Sequence, residues 1–297
     1  MKLLPWHLQI AEQLAQRAAS GRLPHGLLLA APAGWGVQRL ANWLTLHLLG
    51  LAEDRVAEDL AHPDLRWLKP DGAVIRIDEV RTLVNFAIGT PQAASCKVAV
   101  LVDADGLNRN AANALLKTLE EPPAGTYLLL TSCHPGRLLP TIRSRCQVVN
   151  LQPAAALARR WLEQNVTAEA LEARIFEHGG APLAVVEGIE RGETPLQGVL
   201  SEALRGSQAG PLVQALLEQG LVGVTGRWYR YLLAMAAGQG AFPALAQVSS
   251  RRVADFAQEV LWVRRQLVGS NSANERLMAE LLLHGWRRLA RQVPVTS

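Results

Sequence analysis

Gly26-Leu27-Leu28-Leu29-Ala30-Ala31-Pro32-Ala33-Gly34-Trp35-Gly36-Val37-Gln38 decides the fold. Its first five residues are apolar or small with no alternation, as in a strand buried on both faces, and such strands belong to parallel sheets covered by helices. The glycines predict a tight turn, and a helix follows over 38–51. Outward from there the same alternation continues. Strands are expected over 64–68, 97–103, 127–131 and 147–151. Val98–Val102 is apolar throughout and reads as a central strand. A helix is expected over 108–121, with Ala112, Leu115, Leu116 and Leu119 at three-to-four spacing and Pro122-Pro123 as its stop. A short helix begins near Pro135.

After Pro153 the strand signals cease. Helices are expected over 154–189, interrupted at Gly179-Gly180-Ala181-Pro182, and a linker at 191–195 leads to an all-helical remainder. There Val253, Phe256, Ala257, Val260 and Leu261 form one apolar stripe, and Met278, Leu281, Leu282, Trp286 and Leu289 another. Ser272 and Glu275 make a capping box for the last helix. The fold class is thus α/β plus all-α, in three units: 1–152, 153–192 and 193–297.

With 297 residues, 49% of them hydrophobic, the chain can bury sizeable cores, so disordered and fibrous classes are excluded. Tyr231–Ser250 lacks charge, but Gly238, Gln239, Gly240 and Pro243 make it a buried helix plus loop rather than a membrane span. The N-terminus reaches Gln9 and Glu12 before any apolar run of signal-peptide length. Cys96, Cys133 and Cys146 are few and widely spaced, which suits a reduced cytoplasmic protein. The net charge of +4 is spread along the chain. Beyond Leu221 it concentrates in the doublets Arg251-Arg252, Arg264-Arg265 and Arg287-Arg288. Without interleaved aromatics these read as solvated faces or subunit contacts rather than a base-stacking surface.

Three segments bear on chemistry. A phosphate-binding loop of the form G-x-x-x-x-G-K-[ST] cradles phosphates with backbone N–H groups, a lysine and a magnesium-binding hydroxyl. Aligned on Gly36, this chain has Ala31 at the first glycine, Val37 at the lysine and Gln38 at the hydroxyl. Neither charge-handling group is present, so Gly34 and Gly36 are expected to form only a tight turn, without competent ATP binding. Asp103, at a strand end, is the candidate metal carboxylate, yet Ala104 stands where a water-activating glutamate would follow, so Asp103 reads as a structural relic. Asp78-Glu79 is a decoy, with Asp78 expected as a helix cap. The third segment is Leu139–Cys146, where Arg145 reads on composition alone as an ordinary surface or salt-bridged arginine.

Asn110-Ala111-Ala112-Asn113-Ala114-Leu115-Leu116-Lys117-Thr118-Leu119-Glu120-Glu121-Pro122-Pro123, followed by Ser144-Arg145-Cys146, resembles the bacterial replicative clamp-loader family of AAA+ proteins. The resemblance is strong over about 20–152 and weaker beyond. It implies an AAA+ domain, a helical lid over 153–192 and a helical collar over 193–297 that holds five subunits in a ring. The lost loop residues imply a non-hydrolysing member rather than the ATP-hydrolysing gamma/tau subunit. Arg145 is then implied as a finger reaching ATP on a neighbouring gamma/tau subunit, with Ser144 and Cys146 positioning it. Pro182 replaces the lid's ATP-sensing arginine. Trp228, Trp262 and the arginine doublets are implied as collar packing and contacts. Implied partners are gamma/tau and delta subunits in a hetero-pentamer, and through it a sliding clamp and primed DNA, in the cytoplasm at the nucleoid. The family's usual four-cysteine zinc module is missing from 46–63, where His47 and His62 alone cannot build a tetrahedral site, so neither zinc nor bound ATP is expected. Two other readings stay open: an active AAA+ ATPase with a divergent loop, and a stand-alone DNA-binding module.

Overall fold

The structure is a computed structural model that describes residues 1–70, 72, 74–239, 242–269 and 273–291. The chain divides into two compact units, Met1–Gln164 and Asn165–Ser297.

The first unit is built on five parallel strands, β1 (Gly26–Ala30), β2 (Leu65–Leu68), β3 (Lys97–Leu101), β4 (Thr126–Ser132) and β5 (Gln147–Asn150), in the order β2-β3-β4-β1-β5. Every residue of β1 and β3 is buried, as their unbroken apolar runs require. β4 holds the middle of the sheet and β3 lies beside it, an interior strand although not the central one. The register pairs Leu101 with Leu130 and Ala30 with Ser132, so the C-terminal ends of β3, β4 and β1 share one edge. That is the edge at which open parallel sheets place their sites.

The helices of this unit are α1 (Leu8–Ala19), α2 (Val37–Leu48), α3 (Ile77–Ile88), α4 (Arg109–Glu120), α5 (Pro140–Arg143) and α6 (Ala155–Asn165). α4 starts where expected, because the Asn108 side chain accepts from the Ala111 N–H at 2.8 Å. α3 corrects the expected cap. Glu79, not Asp78, returns its carboxylate to the Arg76 N–H at 2.7 Å, while Asp78 pairs with Arg81 at the surface. The glutamate has the reach from the third helical position, and the aspartate sits one residue too early.

Asp64 ties β2 to the approach of β3. Its fully buried carboxylate accepts the N–H groups of Gln92, Ala93 and Ala94 at 2.7, 2.7 and 2.8 Å. Burial works against the charged form, but the three donors outweigh it and hold the pKa below its ordinary value.

The second unit contains α7 (Leu171–Glu177), α8 (Pro182–Glu190), α9 (Leu196–Arg205), α10 (Ala209–Glu218), α11 (Leu221–Ala236), α12 (Ser250–Gly269) and α13 (Glu275–Arg291). Its core is aromatic, with Trp228 edge-on to Trp286 at 5.7 Å and Phe242 edge-on to Trp286 at 5.0 Å. Beside that core the buried Glu177 carboxylate accepts from the Tyr231 hydroxyl at 3.0 Å and the Gln197 N–H at 3.1 Å. Arg227 pairs with Glu177 at 3.4 Å and Glu193 at 3.2 Å. Burial pushes His178 down to about 4, so it stands neutral beside this pair at neutral pH. The stretch 171–193 is thereby tied to α11.

Arg264, Arg287 and Arg288 are committed within the unit. Arg264 donates to the Val222 carbonyl, Arg287 to the Ala203 and Ser207 carbonyls at the end of α9, and Arg288 pairs with Glu259. The α12 stripe is buried as expected, except that Leu261 is only partly so. On α13 Leu281 is 46% exposed and Leu283 takes the buried place, because the stripe turns with Leu282, Trp286 and Leu289. Trp228 is fully buried, whereas Trp262 is half exposed. Asn274 caps α13 through the Leu277 N–H at 3.1 Å; the expected cap Ser272 lies outside the described residues, as do Gly240 and Ala241 of the charge-free stretch. Among the described residues no helix is long and apolar enough to cross a membrane.

Replacing Asp64 with Ala strands three N–H donors and is expected to cost about 2–4 kcal/mol in urea unfolding. The sign with pH follows from the lowered pKa. The native carboxylate stabilises at any pH above the ordinary value of 3.8 and loses that contribution as pH falls through its lower native value. The stability gap between native chain and variant should therefore be full at pH 7 and close below about pH 4.

Candidate functional site

The turn after β1 is pinned from the N-terminal segment. Gly34 and Gly36 both lie in the left-handed region, at φ 78° and 83°, which explains the two glycines without reference to a ligand. Between them Trp35 is buried, and its carbonyl accepts from Trp6 Nε1 at 3.0 Å and His7 Nε2 at 2.9 Å. Burial lowers the His7 pKa, keeping the ring neutral, and its Nδ1 accepts from the Leu4 N–H at 3.3 Å. Trp6 packs edge-on against Trp35 and Trp161. Ala31 and Val37 are buried, and Gln38 lies near enough to the Asp103 carboxylate to favour its charged form.

The loop and the ends of β1, β3 and β4 are thus brought together as a nucleotide-type site would be, with different chemistry. Asp103 is left-handed at φ 50°, its N–H held by Thr131 Oγ1 at 3.1 Å. Burial, and then the charge of Asp105, raise its pKa against the pull of Gln38 and Lys69. Ala104 is fully buried. The strand ends therefore present two carboxylates, while the loop carries no cation to meet a triphosphate. Lys69 is engaged with Glu58 at 3.2 Å.

Sequence reading missed three neighbours here. Asp105 accepts from Ser132 Oγ at 2.7 Å, and its other oxygen lies 3.4 Å from His134 Nδ1. Serine and imidazole both address the carboxylate, not each other, so the trio lacks the nucleophile-to-base contact of a hydrolase. Cys133 is no nucleophile either, since burial pushes its thiol up to about 11.

Pro182 belongs to the second unit, where it is buried as the first residue of α8, a position at which the missing N–H costs nothing. In the 46–63 stretch His47 stacks on Trp43, and His62 accepts from the Asp64 N–H.

Arg145 stands at the opposite end of the β1–β5 pairing, in the turn from α5 into β5. Its Nε donates to Glu120 Oε1 at 2.6 Å, Nη2 pairs with the same oxygen, and Nη1 donates to the Thr141 carbonyl at 2.9 Å. The Ser144 hydroxyl donates to the same carbonyl at 3.2 Å, and Cys146 is buried with its thiol pushed up to about 11. Arg145 remains one-third exposed. β1 makes this arrangement possible. His25 Nε2 donates to the Leu119 carbonyl at 3.0 Å, and Gly26 lets the chain pass close by. A Cβ there would lie 3.2 Å from Leu119 Cδ2 and 3.3 Å from the Arg145 carbonyl oxygen. Gly26→Ala should accordingly overpack this junction and lower stability by about 1–3 kcal/mol in chemical denaturation. An unchanged midpoint would show that the junction has slack.

Residues 6–155 match the family model described as DNA polymerase III, delta subunit. The DNA polymerase III subunit delta' of Pseudomonas aeruginosa is 42% identical over 198 residues, 61% of this chain and 60% of that protein. The Escherichia coli subunit delta' is 34% identical over 207 residues, 63% of this chain and 62% of that protein. The match thus spans about three-fifths of these relatives' length. A gamma subunit-related protein of DNA polymerase III from Thermotoga maritima superposes with a TM-score of 0.54 at 20% identity, covering 95% of this chain and 99% of that one. That likeness shows the fold, a parallel-sheet domain followed by helical domains. With half of its length matched by the family model, the chain belongs to the DNA polymerase III delta-subunit family.

Proposed function

We propose that the chain is a delta-prime-type, non-hydrolysing subunit of a DNA polymerase III clamp loader, and that Arg145 completes the ATPase site of an adjacent gamma/tau subunit. The observation that carries the proposal is the contrast within the first unit. The chain's own strand ends join two carboxylates to a loop without a cation, whereas Arg145 is held, partly exposed, away from them. The residues around Gly36 and Asp103 do not fit MgATP. Four phosphate charges need cations, and the Asp103 carboxylate has a second carboxylate, Asp105, beside it.

Ser144 and Cys146 support the finger from either side. Pro182 removes a further nucleotide contact, and 153–192 and 193–297 act as lid and collar. Partners are gamma/tau and delta subunits in a hetero-pentamer, which brings the chain to the sliding clamp and primed DNA. The chain works in the cytoplasm, associated with the nucleoid, and requires neither zinc nor ATP of its own.

A finger supplied in trans is worth about 10³–10⁵ in rate at the site it serves, or roughly 4–7 kcal/mol of barrier. In a reconstituted complex, Arg145→Ala is expected to lower clamp- and DNA-stimulated ATP turnover while assembly survives. Unchanged turnover in an assembled complex would overturn the finger role.

A further inference from the structure

We infer that Glu120 is a positioning residue for Arg145, holding the guanidinium oriented for a phosphate that arrives from outside the chain. The inference rests on the proposed finger role and adds a second residue to it. Glu120 is the last residue of α4, followed by Glu121, so two acids stand at the negative end of the helix dipole. Carboxylates are unfavourable there. A local conflict of this kind signals a use elsewhere. The structure supplies it, since Glu120 takes both Nε and Nη2 of Arg145 on one carboxylate oxygen.

Three features make this a mount rather than a chance surface pair. The guanidinium is held from two elements, by the Glu120 carboxylate at the end of α4 and the Thr141 carbonyl of α5. The end of α4 is itself fixed to β1, because His25 holds the carbonyl of Leu119, one residue before Glu120. Finally, a guanidinium has five N–H donors, and the contacts with Glu120, Thr141 and, at 3.5 Å, Ser144 use four of them. One Nη2 N–H remains at the tip, and the side chain is one-third exposed. An incoming phosphate can thus be met without releasing the carboxylate, by an arginine whose rotamer is already chosen.

The test is a double-mutant cycle on clamp- and DNA-stimulated ATP hydrolysis in the reconstituted complex, with assembly checked for each variant. Glu120→Ala is expected to lower kcat about tenfold to a hundredfold at the served site, as a displaced catalytic group does, with KM for ATP little changed. Glu120→Gln keeps an acceptor oxygen for Nε and should retain most of the activity. Combined with Arg145→Ala, Glu120→Ala should add nothing further, since no guanidinium remains to be held. Wild-type or faster turnover in Glu120→Ala would overturn the positioning role. So would a double variant that falls below Arg145→Ala by the full Glu120→Ala factor. If Arg145→Ala alone leaves turnover unchanged, the finger role itself fails. If Arg145→Ala is impaired and Glu120→Ala is not, only the role of Glu120 fails.

Discussion

The close passage of β1 beside the end of α4 and the turn into β5 is the constraint on which the first unit depends. Gly26 brings the backbone of β1 within reach of the Arg145 carbonyl and Leu119, and His25 fixes the last turn of α4. The pairing of β1 with both β4 and β5 then sets where the turn into β5 begins. Loosening this junction would move the sheet edge and both partners of the Arg145–Glu120 pair together. A core packed at crystalline density transmits such a shift rather than absorbing it.

The C-terminal strand ends show the same economy in the opposite sense. A working nucleotide site needs mobile loop donors, cations and a free carboxylate. Here the loop is pinned through the Trp35 carbonyl by Trp6 and His7 and carries no cation, and the carboxylate of Asp103 faces that of Asp105. These contacts stabilise the fold around a site whose charges would repel a triphosphate. In the proposed reading this edge is a nucleotide site out of use, and the working charge is turned outward at Arg145. The second unit is organised by a buried ionic knot on Glu177, Glu193 and Arg227, which sets 171–193 against α11.

Much of the sheet was legible in the sequence because β1 and β3 are apolar on both faces, and only a buried parallel strand tolerates that. The end of α4 was legible through Pro122-Pro123, and the loss of loop charge through Val37 and Gln38. What escaped was set by distance along the chain. The Arg145–Glu120 pair spans 25 residues, Ser132–Asp105 27, and Tyr231–Glu177 54, and no local periodicity encodes such partners. Local errors had local causes. Glu79 outreached Asp78 at the start of α3, and the α13 stripe passed Leu281 by, leaving it 46% exposed. Arginine doublets that read as outward contacts proved partly internal, because Arg287 caps α9 and Arg264 reaches Val222.

The most direct measurement is a calorimetric titration of MgATP into the purified, folded chain. A chain whose own site is dead and whose arginine serves a neighbour should give no saturable binding up to about 1 mM, a limit of roughly −4 kcal/mol. Saturable, magnesium-dependent binding in the low-micromolar range would contradict it.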